Sequence, residues 1–168
     1  MLRALGAVAA LIALIAVGRL AIAAGPVPIT LQSLVVVLAG AWLGSRIGTG
    51  VVVAWLGLAA AGLPVLAGGK AYLPDFTEPS AGFLLALPLA ALLAGSWRRD
   101  WQRLPTLGLM LGCHALLLAV GGLWIAMAGG EARAVLTPLL PGALLKSALA
   151  ALILGLSARA PARWGRAR

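Results

Sequence analysis

The chain has 168 residues, 62% of them hydrophobic, with 22 glycines besides and only 10% charged. At a mean hydropathy of +1.07, its 13 basic and 4 acidic side chains cannot cover a soluble domain, in which about a quarter of residues are charged. An ordinary soluble enzyme, a disordered protein and a disulfide scaffold are thereby excluded, and a polytopic helical membrane protein remains. The net charge of +9 would suggest nucleic acid, but the basic residues cluster in short runs between long apolar segments, so nucleic acid is not read as a partner.

A helix crossing about 30 Å of hydrocarbon needs about 20 residues, and six stretches come near that length: 2–24, 30–44, 47–66, 81–97, 104–128 and 139–158. The chain reads as one integral membrane domain. The first stretch has the basic residue, apolar core and small-residue end of a signal peptide, but five apolar segments follow it, so it is read as a span. It carries small residues four apart, Gly6–Ala10 and Ala9–Ala13, a spacing that lets another helix approach closely. Arg19, near its end, is expected to snorkel to the interface.

The second span is short. Pro26 and Pro28 precede it, fixing an extended entry, and Thr30 and Gln32 then carry polar groups inward. Thr30 needs only to cap the helix, whereas the Gln32 amide needs a partner in lipid. A tight link at 45–46 leads to the third span. Residues 67–80 (AGGKAYLPDFTEPS) form the longest loop, and loops of this length are usually functional or disordered; it is the natural lid, although Tyr72 and Phe76 could equally seal the bundle. The charged link WRRDWQR (97–103) follows the fourth span.

In the fifth span Cys113 and His114 are neighbours that point about 100° apart on a helix, so a shared metal is not expected and His114 reads as a neutral packed imidazole. In the sixth, Pro141 suits a first helical turn. Lys146 would then lie about 7–8 Å from the outer end, either snorkelling outward or facing a compensating anion or wet cavity.

With six spans both termini share one side. Arg3, Arg46, Arg98, Arg99, Arg103, Arg159, Arg163, Arg166 and Arg168 fall on that side, against Lys70 and Arg133 on the other. That asymmetry places both termini in the cytoplasm. No phosphate-binding GxxxxGK[ST] and no HExxH occurs, and one His cannot build a multi-His metal site. All four acids sit in expected loops, which disfavours a proton-coupled carrier. Neither catalytic residues, a metal nor a cofactor is expected; a transported solute would draw its energy from another subunit.

At GPVPITLQSLVVVLAGAWLGSRIG (25–48) the chain resembles the BioY family, the biotin-binding membrane subunits (S components) of energy-coupling factor transporters. The PVPxTLQ segment with a Gly40-to-Gly44 end, GLPVLAGG (62–69), PSAGF (79–83, where the family has PTxGY), GGLW (121–124) and LPGALLKSALAA (140–151) follow in order. The resemblance implies an all-α, six-helix S-component bundle with a pocket near the outer face, closed by the 67–80 loop. It further implies biotin as the ligand, Lys146 as charged anchor, and Gln32 and Thr30 as polar contacts. Gly68, Gly69 and Tyr72 would shape the lid, and Phe83 and Trp124 the apolar wall. The implied partners are a transmembrane coupling (T) protein and cytoplasmic ABC-type ATPases, docking through the small-residue face of Gly6, Ala9, Ala10 and Ala13. One position departs from the pattern: the acid that the family places three residues before the lysine is Ala143. Glu78 or Asp75 would replace it, or Lys146 would rely on the ligand's own carboxylate. The alternatives are the same architecture for another vitamin, such as thiamine or riboflavin, and a membrane scaffold without a ligand.

Overall fold

The computed structural model describes residues 2–18, 21–22, 27–71, 78–98, 100–101 and 103–159. Six helices run through them: α1 (Leu2–Gly18), α2 (Gln32–Leu43), α3 (Ser45–Ala60), α4 (Ala81–Ala94), α5 (Arg103–Met127) and α6 (Ala132–Arg159). Two-residue strands, β1 (Ala21–Ile22) and β2 (Ile29–Thr30), pair antiparallel between α1 and α2. Helix α1 packs on α2 and α3, α4 packs on α2, α3 and α5, and α6 lies along α5 and touches α2. The core these helices enclose is built largely of Ala, Val and Leu, with Trp55, Leu14 and Met110 its largest fully buried side chains. Leucines such as Leu104, Leu123, Leu144, Leu145 and Leu156 face outward, as they would toward lipid.

Small residues set how closely the helices approach. A Cβ on Gly40 would fall on the backbone of Ala91, and one on Gly48 would lie 2.6 Å from the Cα of Gly40. Gly44 has another task. Its φ of +81° is one that L side chains avoid, and it breaks the apolar run into α2 and α3, while a Cβ there would touch nothing.

Several bounds differ from the sequence expectation. The first helix stops at Gly18 rather than continuing to 24, and Ala21 and Ile22 are instead paired as β1. The second starts at Gln32, since Ile29 and Thr30 pair with Ala21 and Ile22. Among the described residues, helices α5 and α6 alone have 18 or more residues of sufficient apolarity, and the other four run from 12 to 17 residues. The largest correction concerns α6. It begins at Ala132 and carries both Pro138 and Pro141 within it, so Pro141 does not mark the first turn. Both prolines are exposed, so the backbone carbonyls they leave without an N–H are not trapped in the core.

Candidate functional site

That longer α6 changes the meaning of Lys146. Fourteen residues separate it from Ala132, placing it about 21 Å along the axis, at mid-helix and beyond the reach of the N-terminal dipole. Its side chain does not snorkel. Nζ donates to the Thr30 carbonyl at 3.2 Å and to Ser33 Oγ at 2.8 Å, so the ammonium is drawn inward between α6 and the start of α2. Two of its three protons are used there, and the side chain lines a cavity of about 720 Å³.

The cavity lies between the β2–α2 entry, α4, α5 and α6. Apolar side chains make most of its wall: Val27, Ile29, Leu66, Phe83, Leu84, Leu87, Leu117, Leu118 and Leu139. Thr30, Gln32, Ser33, Lys70, Glu78, Ser80, His114 and Lys146 supply the polar groups, and Ala143 lines the cavity from α6, the helix that carries Lys146. An apolar wall with a few convergent polar groups is the usual composition of a small-molecule site.

Local sequence explains the placement of these groups. Pro28 leads into a two-residue strand rather than a helical turn, so the Thr30 carbonyl is not consumed by α2 and can accept from Lys146. Thr30 lines the cavity without capping α2, whose N-cap residue is Leu31 and has no side-chain cap bond. Gln32 is buried, with Nε2 unpartnered among the described residues. Gly18 makes that burial feasible, because a Cβ there would lie 2.6 Å from Gln32 Nε2. Phe83 is accommodated in the same way: a Cβ on Gly121 would collide with its ring. Trp55 is fully buried and its Nε1 donates to the Val65 carbonyl at 3.1 Å, tethering the segment that brings Leu66 to the cavity. The Leu66 N–H then donates to the Lys70 carbonyl at 3.0 Å and the Gly69 N–H to the Leu66 carbonyl at 2.9 Å. That tight loop needs positive φ at both Gly68 and Gly69.

Of the residues expected from sequence, Lys146, Gln32, Thr30, Gly68 and Phe83 line this cavity together. Gly69 shapes the adjoining loop without lining it. Trp124 stands behind the wall, its Cβ against Gly82. Tyr72 and Asp75 lie outside the described residues, as does Arg19. Glu78 reaches the cavity, where its carboxylate accepts from Ser80 Oγ at 3.3 Å. Among the described residues the ion pair is Arg98–Asp100, and Lys146 has none with Glu78. On α1, Gly6 packs against Leu43 and Ala10 against the chain's own core, whereas Ala9 is exposed. Two contributors were not legible beforehand. Ser33 is a single hydroxyl at the head of an apolar run, and His114 was read as inert packing. The signal available was the PITLQS cluster for Ser33 and, for His114, its position one helical repeat after Met110.

A family model described as the BioY family matches residues 2–163. The chain is 39% identical over 145 residues to the biotin transporter BioY of Rhodobacter capsulatus, covering 76% of each chain. It is 34% identical over 135 residues to the probable biotin transporter BioY of Pyrococcus horikoshii, covering 80% of this chain and 81% of that one. Among solved structures it is similar to the S-component for biotin from an ECF-type ABC transporter, with a TM-score of 0.75, 27% identity, and 95% and 92% of the two chains covered.

Proposed function

The chain belongs to the BioY family, and from that membership we propose that it is the substrate-binding membrane subunit for biotin uptake. The observation that carries the reading is the Lys146 ammonium, held at mid-helix and facing a mostly apolar cavity. A charge at that depth costs about 2.5–3.5 kcal/mol, and a ligand carboxylate would offset it through a charge-assisted hydrogen bond. Biotin fits the rest of the lining: its tail and thiophane ring are apolar, and its cyclic urea asks for a small number of hydrogen bonds. Thiamine is a cation that Lys146 would repel, and riboflavin has no carboxylate to meet it.

Six helices with the basic excess at one end support a multi-pass arrangement with both termini in the cytoplasm. Uptake would then be driven by a T protein and cytoplasmic ATPases, since the chain contains no phosphate-binding loop. Exposed Ala9 on α1 suits close approach by that T protein, while Gly6 and Ala10 serve internal packing. The 67–71 turn and Glu78 would flank the lid. A thermal-shift panel on the detergent-solubilised chain tests the ligand: biotin raises the melting temperature and thiamine and riboflavin do not. Stabilisation by another vitamin, or by none, would refute the assignment.

A further inference from the structure

Lys146 and Ser147 are neighbours on α6 that face different helices, Lys146 toward α2 and Ser147 toward α5. Ser147 is fully buried, and its Oγ lies 2.8 Å from the Ala143 carbonyl, 3.2 Å from the Met110 carbonyl and 3.0 Å from His114 Nδ1. Nδ1 itself lies 3.0 Å from the Met110 carbonyl. A carbonyl oxygen only accepts, so the Nδ1 contact with Met110 requires Nδ1 to carry the proton. The Ser147 hydroxyl then gives its single proton to a carbonyl, the nearer being that of Ala143, and its oxygen can share the Nδ1 proton. In a neutral imidazole this arrangement leaves Nε2 as a bare acceptor.

His114 lines the cavity and is 3% exposed, and its Nε2 has no partner among the described residues. Gln32, 5% exposed, lines the same cavity, and its Nε2 donor has no partner among the described residues. A buried acceptor and a buried donor, each without a protein partner, are costly unless a ligand satisfies both. We propose that His114 Nε2 accepts a hydrogen bond from a ligand N–H while Gln32 Nε2 donates to a ligand carbonyl, so that the pair reads a neutral urea or amide head. In the proposed biotin reading, on which this assignment of the ligand rests, that head is the cyclic urea. Ser147 is a positioning residue in this scheme: with the Met110 carbonyl it holds the imidazole in the tautomer that leaves Nε2 free.

The chain has one histidine, so selective ¹⁵N-histidine labelling reports on His114 alone. In detergent micelles at neutral pH, Nδ1 is expected to be protonated and Nε2 bare. Added biotin should move the Nε2 resonance, and a biotin methylated on both urea nitrogens should not. In equilibrium binding, His114→Leu should weaken biotin about tenfold or more, and His114→Gln, whose Oε1 can accept, should recover most of the loss. The methylated analogue should bind wild type and His114→Leu equally. Biotin binding that leaves the Nε2 signal unmoved, or a protonated Nε2 in the biotin-bound state, overturns this inference and leaves the biotin reading intact. Wild-type protein with no affinity for biotin overturns both. The ¹⁵N measurement needs no variant, so it decides the matter even if His114→Leu does not fold.

Discussion

Toward the Gly44 link, α2, α3 and α4 meet backbone to backbone. A Cβ on Gly40 would strike Ala91, and one on Gly95 would strike Ser45, whose Oγ donates to the Leu92 carbonyl at 3.0 Å. Where α2, α4, α5 and α6 surround the cavity, the helices stand apart, and Gln32 Nε2 and His114 Nε2 have no partner among the described residues. The first region spends its small residues on close approach; the second spends Gly18 and Gly121 on seating Gln32 and Phe83 at the cavity wall. The difference separates two roles that composition alone merges, because Gly and Ala dominate both. Substitutions at the packed end should damage the fold and spare ligand affinity, and those at the cavity end should do the reverse.

The largest effect is expected at the packed end. Gly40→Val forces a branched side chain into the Ala91 backbone and should destabilise by about 3 kcal/mol, the upper end of overpacking costs. It is read as a drop in thermal midpoint in detergent, with biotin affinity per folded molecule unchanged; reduced affinity at unchanged midpoint would break the comparison. At the cavity end, Lys146→Met should weaken biotin by about 1.5–3 kcal/mol, the range for hydrogen bonds to charged groups. The unliganded protein should be as stable as wild type or more so, because an internal charge is removed. Titration calorimetry alongside a melt separates the two quantities. Gln32→Ala should cost about 1 kcal/mol of affinity, that of one neutral hydrogen bond, measured in the same titration. The smallest effect lies outside both regions. Hydrogen bonding from Arg98 holds the Asp100 carboxyl below its ordinary value, so the pair adds stability above the unfolded pKa and loses it as pH falls through the folded one. Both side chains are solvent-exposed, so Asp100→Asn should lower the midpoint only marginally at neutral pH, and not at all well below the folded pKa.

Much of this contrast was legible in the residues. Six apolar runs corresponded to six helices, and PVPITLQ with the later Lys pointed to the cavity, because a Gln and a Lys in lipid-depth segments demand partners. The failures have physical causes. Proline's preference for the first helical turn placed the start of the sixth span at 139, with Pro141 in its first turn, but exposed prolines in a long helix leave carbonyls that need not be satisfied by the core, so the helix begins seven residues earlier, at Ala132, and Lys146 lies at its middle. Gly40 and Gly44 look alike in sequence, yet one is needed for contact and the other for its positive φ. His114 looked inert because its partner Ser147 is 33 residues away, and only the packing of α5 on α6 brings them together.

Equilibrium dialysis of labelled biotin against wild type and Ala143→Phe tests most directly whether this cavity is the binding site. Ala143 lines the cavity, so the phenyl ring would project into ligand space with little cost to the surrounding helices. The account predicts one biotin per chain for wild type, and no detectable binding for a variant that melts at the wild-type temperature. Equal binding by the two proteins would place biotin elsewhere and contradict it.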